Sequence, residues 1–241
     1  MNKNVLVTGA TGAIGFEIAK VFQDNGYNVF VTGRKQEKLD KIKDIFSGAS
    51  CCNLSDNRVC NELIEQVEKT LGSVDILINN AGEYIWAEIE NTTDEQISSL
   101  LKINFEVPYK LSKLVVTNMQ RNKWGRIINI GSISGAVGEA NATLYSATKS
   151  ALIGFTKSLA LEKADKGITV NIINPGWVDT ELTKNALCDE SFTIEETLDM
   201  IPQRRFITPQ EVAECALYLA SESAKGITGQ YINLCAGLSI G

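Results

Sequence analysis

The strongest constraint on the fold is the regular alternation of short apolar segments with longer helical patterns. The predicted strands are Asn4–Val7, Val29–Thr32, Ala49–Cys52, Asp75–Ile78, Arg126–Ile130, Thr169–Ile173 and Gln230–Leu234. Most are continuous apolar runs, which is typical of parallel strands covered on both faces. The predicted helices cover residues 14–25, 36–46, 57–70, 94–121, 143–165 and 209–221. This order predicts a single doubly wound α/β domain over residues 1–241, with about seven parallel strands and helices on both faces.

The net charge and the apolar pattern exclude several classes of protein. The 23 Lys and Arg against 29 Asp and Glu give a formal charge of −6. Such a surface repels nucleic acid and anionic lipid. No stretch approaches the roughly 20 apolar residues that span a bilayer, and the amino terminus lacks the features of a signal peptide. We therefore expect a cytoplasmic protein that binds neither nucleic acid nor membrane.

The chain contains no histidine and six cysteines. The absence of histidine excludes Ser-His-Asp hydrolases, Cys-His proteases and metal enzymes with His ligands. The cysteines have no CxxC spacing, and without a secretory signal we expect reduced thiols rather than disulfides or metal ligands. Acid–base chemistry near neutral pH must therefore come from Tyr, Lys, Asp, Glu or Cys, and no metal site is predicted.

The first predicted strand ends in a glycine-rich turn, and a helical pattern follows it. The turn is Thr8-Gly9-Ala10-Thr11-Gly12-Ala13-Ile14-Gly15. Glycines let the backbone approach a pyrophosphate, and a helix start offers free N–H groups and a positive dipole end. Many turns need glycine for backbone reasons only, but the position between the first strand and the first helix favours phosphate binding. The sequence therefore predicts a Rossmann-type dinucleotide site.

The residues after the second predicted strand bear on which dinucleotide binds. In NAD-binding Rossmann folds an acidic residue at this place usually holds the adenosine ribose hydroxyls. Here the segment Asn28-Val29-Phe30-Val31-Thr32-Gly33-Arg34 has no acid and ends in an arginine. A guanidinium pairs well with a 2′-phosphate and stacks on adenine. The segment favours NADP, with NAD as the alternative; Arg34 could equally be a solvated residue at a helix start.

Four further motifs follow the later predicted strands. They are Asn79-Asn80-Ala81-Gly82, then Ser132, then Tyr145-x-x-x-Lys149 thirteen residues later, and then Asn174-Pro175-Gly176-Trp177-Val178-Asp179-Thr180. Together with the glycine-rich turn and Ile227-Thr228-Gly229-Gln230, the chain resembles the short-chain dehydrogenase/reductase family from end to end. Each motif is weak alone, but their order and spacing are highly specific. Residues 125–182 most resemble the 3-oxoacyl-[acyl-carrier-protein] reductases.

The Tyr-x-x-x-Lys motif has a clear chemical interpretation. On a helix, Tyr145 and Lys149 lie one above the other at i and i+4. A free tyrosine has a pKa near 10, and a neighbouring ammonium is expected to lower it by favouring the phenolate. In ketone reduction Tyr145 would protonate the developing alkoxide while Ser132 hydrogen-bonds the substrate oxygen. A second copy of the pattern, Tyr109 with Lys113, lies within the 94–121 helix and is interpreted as structural.

The resemblance implies roles for further residues. It implies that Lys149 also binds the nicotinamide ribose and that Asn104 holds a water that relays protons to Lys149. The other implied cofactor contacts are Asn53 and Leu54 at the adenine, Asn80, Ala81 and Gly82 along the cofactor, and Pro175, Gly176, Val178 and Thr180 at the carboxamide.

The same resemblance implies a substrate and partners. It implies an NADP-dependent reductase of 3-oxoacyl thioesters in fatty acid synthesis, assembled as a homotetramer. Lys123 and Lys166 fall where those reductases carry basic residues for the acyl carrier protein, although an acidic chain is poorly suited to an acidic partner. A sugar or secondary-alcohol dehydrogenase and a non-catalytic dinucleotide sensor stay open as alternatives. Tyr145 argues against the sensor, because a pure binder does not need it.

Residues 180–208 depart from the β-α-β-α order. Apolar and acidic residues mix there without a clear period, between Pro175 and Pro209. We interpret this stretch as a mobile lid over the substrate site. An ordinary packed pair of helices is an equally compatible interpretation.

Overall fold

The structure is a computed structural model that describes residues 3–56, 58–181, 183 and 193–239. Its parallel sheet consists of Asn4–Val7 (β1), Asn28–Gly33 (β2), Gly48–Cys51 (β3), Ile76–Asn79 (β4), Gly125–Ile130 (β5), Ile168–Pro175 (β6) and Tyr231–Leu234 (β7). The strands lie in the order β3-β2-β1-β4-β5-β6-β7, and all neighbouring pairs are parallel. Each predicted strand is present to within two residues at either end.

The central strands are apolar because helices cover them on both faces. Strands β1, β4, β5 and β6 are buried along their whole length, whereas the edge strands β3 and β7 are partly exposed. The strand order reverses at β1, which has β2 on one side and β4 on the other. Ligands of open α/β sheets bind beyond the carboxyl ends of the strands at such a point. The fold therefore places a binding crevice after β1 and β4.

Helices cover both faces of the sheet, as predicted. They are Ala13–Asp24 (α1), Gln36–Asp40 (α2), Val59–Leu71 (α3), Asp94–Leu101 (α4), Val107–Asn122 (α5), Ser134–Val137 (α6), Thr143–Lys163 (α7), Ile194–Met200 (α8) and Pro209–Ala220 (α9). Phe22 of α1 and Val212 of α9 belong to one hydrophobic core. Leu63 of α3 and Leu111 of α5 belong to a second core. Over the described ranges, the longest helices are too short or too polar to cross a bilayer.

The predicted helix over residues 94–121 is interrupted. A π-helical turn at Lys102–Glu106 separates α4 from α5. Pro108 lies in the first turn of α5, where it removes a backbone donor and disturbs the regular i to i−4 pattern. The predicted helix over residues 36–46 is also shorter, because its α-helical part ends at Asp40. The short helix α6 was not predicted, since four residues show no period.

Only part of the predicted lid over residues 180–208 can be compared with the structure. Residues 182 and 184–192 lie outside the described residues. In the described part, Thr193 begins α8 with a capping box, which satisfies two backbone N–H groups. Ile201, directly after α8, is buried. The packed-helix interpretation fits this part, and the mobile lid stays a prediction.

Candidate active site

The glycine-rich turn after β1 borders a cavity of about 510 Å³. Gly9 has a φ of +69°, and a Cβ there would lie 2.9 Å from the Cα of Ala81. A Cβ on Gly15 would lie 2.5 Å from the carbonyl oxygen of Gly9. Both positions therefore require glycine. No side chain caps the first turn of α1, so its backbone N–H groups can bind an anionic group in the cavity.

Most of the predicted cofactor contacts line this cavity. They are Gly9, Thr11, Gly12, Ala13, Ile14, Gly15, Arg34, Asn53, Leu54, Asn80, Ala81, Gly82 and Thr180. Pro175, Gly176 and Val178 are not among the described residues that line this cavity. Val178 is buried and forms a bridge to Ile207, and the backbone N–H of Gly176 donates to the carbonyl oxygen of Leu234. Contact of these three residues with a cofactor stays a prediction, as does contact of Tyr145 and Lys149, which also lie outside the lining of this cavity.

The charged residues among the described lining of the cavity are Arg34, Lys38, Glu83 and Glu181. The Arg34 guanidinium donates to a carboxylate oxygen of Glu83. The other Glu83 oxygen lies 3.4 Å from the hydroxyl of Ser99. Sequence reasoning missed Lys38 and Glu83, although Lys38 follows Arg34 by four residues and Glu83 directly follows the Asn-Ala-Gly motif. Arg34 therefore has a second cation nearby, but it also has a carboxylate partner.

Tyr145 and Lys149 lie on α7, past the carboxyl end of β5. The Lys149 side chain is buried, and its Nζ donates to the carbonyl oxygen of Ile130 at 2.9 Å. The same Nζ lies 5.6 Å from the centroid of the Tyr145 ring. Burial lowers the pKa of Lys149 to about 8, because the ammonium loses hydration. The predicted pair is thus brought together, with the ammonium directed at a backbone carbonyl.

The pKa of Tyr145 moves in the opposite direction from the one predicted. Burial raises it to about 12; a hydrogen bond to Ser132 partly opposes this effect, and the Glu139 carboxylate adds to it. The physical reason is that loss of hydration disfavours the phenolate, while the Lys149 ammonium is turned towards Ile130. Tyr145 is therefore held in its protonated form, which is the form that donates.

Asn104 lies on the π-helical turn Lys102–Glu106 and is almost fully buried. Its Oδ1 accepts from the backbone N–H of Glu83 at 2.9 Å, and its Nδ2 donates to the Glu83 carbonyl oxygen at 2.9 Å. The same Nδ2 donates to the hydroxyl of Thr148 at 3.1 Å. Asn104 therefore joins the loop after β4 to α7, next to Lys149. π-Helical turns are frequent at functional sites.

The structural interpretation of the second Tyr-x-x-x-Lys pattern stays a prediction, and the contacts of Tyr109 are compatible with it. Tyr109 lies on α5, is 50% exposed, and packs against the rings of Phe105 and Phe155. Tyr109 lies in the first turn of α5, and its ring meets these aromatic neighbours rather than Ser132.

Comparisons with known proteins agree with the motifs. A family model described as enoyl-(acyl carrier protein) reductase matches residues 9–239. The chain is 38% identical over 240 residues to the 3-oxoacyl-[acyl-carrier-protein] reductase FabG of Vibrio cholerae, covering 98% of this chain and 97% of that protein. The chain belongs to the short-chain dehydrogenase/reductase family.

A further relative and a solved structure are similar to this short-chain dehydrogenase/reductase over nearly their whole length. An uncharacterized oxidoreductase, YxjF of Bacillus subtilis, is 38% identical over 253 residues and covers 98% of both chains. A solved structure of ElxO with NADP bound has a TM-score of 0.91 and 33% identity, covering 99% of each chain. The single-domain Rossmann-type fold is therefore confirmed.

In this short-chain dehydrogenase/reductase, Lys123 and Lys166 lie just before β5 and β6. They are at the amino ends of these strands, whereas Ser132 follows the carboxyl end of β5. The six residues of β5 span about 20 Å. The Lys166 ammonium also pairs with Asp165 at 2.6 Å. Within one chain, both lysines therefore lie at the opposite end of the strands from Ser132.

Three polar residues that sequence reasoning did not assign lie next to Ser132. The Ser132 hydroxyl donates to the hydroxyl of Ser134 at 3.0 Å, which donates to Glu139 Oε2 at 2.6 Å. The Tyr84 hydroxyl donates to Glu139 Oε1 at 2.9 Å. The rings of Tyr84 and Tyr145 meet edge to face with centroids 4.9 Å apart. The position of Ser134 and Glu139 between Ser132 and Tyr145 is the feature of the sequence that could have identified these two residues.

Proposed function

We propose that this protein is an NADP-dependent reductase that converts a ketone to a secondary alcohol, with 3-oxoacyl thioesters as the favoured substrate class. The observation that carries the proposal is the grouping of Ser132, a protonated Tyr145 and a buried Lys149 ammonium past the carboxyl end of β5. The FabG relatives support the substrate class. A sugar or secondary-alcohol dehydrogenase is the second candidate within the same chemistry.

The cavity fits a dinucleotide. Gly9 and Gly15 leave room that a Cβ would fill, and the uncapped start of α1 suits a pyrophosphate. When bound, the reduced nicotinamide supplies the hydride. Arg34 and Lys38 supply positive charge for the 2′-phosphate, which favours NADP over NAD. The NADP-bound ElxO structure supports the same choice.

Each of the proposed catalytic residues has a separate role in the transfer of the proton. The Tyr145 hydroxyl holds the proton that goes to the substrate oxygen, and a pKa of about 12 keeps it in place at neutral pH. The phenolate that forms lies close enough to the Lys149 ammonium, 5.6 Å from the ring centroid, to be stabilised by it. Ser132 orients the substrate oxygen. Asn104, held rigidly by Glu83 and Thr148, is placed to position a water beside Lys149.

Replacing Arg34 tests the cofactor preference. We expect Arg34→Ala to weaken the binding of NADPH about tenfold, because a charge-assisted phosphate contact is lost, and to leave NADH binding nearly unchanged. Titration of nicotinamide fluorescence measures both affinities. Lys41→Ala, which removes an exposed cation at the end of α2, is the matched control. Equal weakening of both cofactors would show that Arg34 does not bind the 2′-phosphate.

A turnover assay tests the substrate class. We expect oxidation of NADPH with an acetoacetyl thioester to be faster than reduction of NADP with simple sugars or secondary alcohols. Absorbance of the reduced nicotinamide measures all of these reactions. Faster turnover of an alcohol or sugar would move the assignment to the second candidate. Binding of NADPH without any turnover would instead support a dinucleotide sensor.

The partners of the enzyme are also proposals. We propose a cytoplasmic homotetramer, on the family resemblance and on apolar side chains that the single chain leaves exposed. Those side chains are Ile97, Leu101 and Tyr109 on α4 and α5, and Leu161 and Tyr231 beside the edge strand β7. Sedimentation measures the assembly state. Docking of an acyl carrier protein on Lys123 and Lys166 requires a path to a catalytic site at the opposite end of the strands, so the thioester substrate is proposed without that contact.

A further inference from the structure

A chain of hydrogen bonds leads from Ser132 to a carboxylate that the proposed mechanism does not use. Gly138, with a φ of +81°, follows α6 and turns the backbone just before Glu139. Glu139 then accepts from Ser134 at 2.6 Å, and Ser134 accepts from Ser132 at 3.0 Å. The backbone N–H of Ser134 also donates to the Ser132 oxygen at 3.2 Å. Ser134 is buried, which strengthens these bonds.

The carboxylate sets the direction of every bond in this chain. An ionised carboxylate only accepts, and each serine hydroxyl has one proton to donate. The Ser134 proton therefore goes to Glu139, and the Ser134 oxygen is left to accept from Ser132. The Ser132 proton is in turn used by Ser134, so Ser132 presents only lone pairs to Tyr145. Ser132 can donate to a substrate oxygen only by giving up its bond to Ser134.

This direction matters for the two ionisation states of Tyr145. A protonated Tyr145 can donate to the lone pairs of Ser132, whereas Ser132 can donate to a phenolate, and so lower the pKa of Tyr145, only by giving up its bond to Ser134. The charged and titratable groups facing the Tyr145 side chain are Lys149 on α7, whose ammonium favours the phenolate, Glu139, which disfavours it, and Tyr84 against its ring. The direction of the serine hydrogen bonds and the negative charge of Glu139 both disfavour the phenolate of Tyr145.

We propose that Glu139 is a positioning residue that fixes the hydrogen-bond direction through Ser134 to Ser132 and so holds Tyr145 as a proton donor. Alcohol oxidation needs the phenolate as base, so it is thereby confined to a higher pH than it would be without this chain of hydrogen bonds. This inference rests on the proposed role of Tyr145. It names Glu139 and Ser134 as residues that set the pH at which Tyr145 changes from a proton donor to a base.

The test compares Glu139→Gln and Ser134→Ala with the parent protein. Ser134→Ala removes the acceptor of the Ser132 proton, and Glu139→Gln replaces a carboxylate that only accepts by an amide that can also donate to Ser134, so in both variants Ser132 is no longer held as an acceptor and can donate to the phenolate. We expect the pH at which Tyr145 ionises to fall by about one pH unit in each. The near-ultraviolet absorbance of tyrosinate measures it, after subtraction of the corresponding Tyr145→Phe protein, with circular dichroism confirming the fold at each pH. The pH profile of alcohol oxidation should shift in the same direction.

A third variant separates bond direction from charge. Tyr84→Phe removes a hydrogen bond to Glu139 but leaves the path through Ser134 intact, so we expect the ionisation of Tyr145 to stay unchanged. A shift in Glu139→Gln with none in Ser134→Ala would mean that only the charge acts, and it would overturn the proposal. So would the absence of a shift in both. The absorbance titration needs no turnover, so a failure of the proposed reductase activity would be seen separately.

Discussion

Replacing Tyr145 by Phe is expected to lower the rate of ketone reduction about 10³-fold, because the substrate oxygen loses its general acid. The phenylalanine ring keeps the edge-to-face contact with Tyr84, whose centroid is 4.9 Å from that of Tyr145. The cavity that the dinucleotide would occupy is lined by other residues, so the affinity for NADPH should change little. Single-turnover oxidation of NADPH measures the rate, and fluorescence titration measures the affinity.

Tyr109→Phe is the matched control, because it alters the other Tyr-x-x-x-Lys pattern of the same chain. The phenylalanine ring keeps the packing of Tyr109 against Phe105 and Phe155, and we expect its variant to keep full activity. Retention of more than about a tenth of the rate in Tyr145→Phe would exclude Tyr145 as the main proton donor. A sensor protein would keep its function in both variants.

Replacing Lys149 by Met is expected to have two effects of opposite sign. Activity should fall by more than about 10²-fold, because the phenolate of Tyr145 loses its neighbouring cation. The free energy of unfolding at neutral pH should rise. Burial lowers the pKa of Lys149 from 10.5 to about 8, which corresponds to a cost of about 3 kcal/mol for keeping the ammonium buried. Losing the bond to the Ile130 carbonyl removes about 1 kcal/mol, so a net gain of about 2 kcal/mol is expected.

The stability difference between Lys149→Met and the parent protein should depend on pH. Between about 8 and 10.5 the unfolded chain binds more protons at Lys149 than the folded one does, so the stability of the parent rises with pH. The advantage of the variant is therefore complete below that range and disappears above it. Chemical denaturation at neutral and at alkaline pH measures this, with the exposed Lys113→Met as control. A variant less stable than the parent at neutral pH would contradict the cost assigned to the buried ammonium.

The sheet could be predicted from the sequence because its central strands are buried on both faces and are therefore apolar. Val5, Leu6 and Val7 are fully buried, so even a four-residue strand shows a continuous apolar run. The π-helical turn at Lys102–Glu106 was not predicted, because apolar residues continue through it and a helical period over so few residues does not distinguish the two conformations. Short elements with glycine, such as α6, give no pattern at all.

The candidate site was only partly predictable for a different reason. Motif spacing identified Ser132, Tyr145 and Lys149, since each follows a strand or shares a helix face. Spacing does not tell where a flexible side chain points, and the pKa of Tyr145 was therefore predicted in the wrong direction. The pairing of Arg34 with Glu83 joins residues 49 positions apart, which no local pattern reveals.

Glu83 contacts residues at both ends of the site. Its side chain contacts Arg34 at the end of the cavity expected to distinguish the cofactors, and its backbone holds both polar atoms of the Asn104 amide. A change of cofactor preference made at Arg34 therefore leaves the Glu83 carboxylate without its cation, on the very segment that orients Asn104. Redesign of this enzyme for another dinucleotide has to treat positions 34 and 83 as a pair, or it will disturb proton transfer while altering binding.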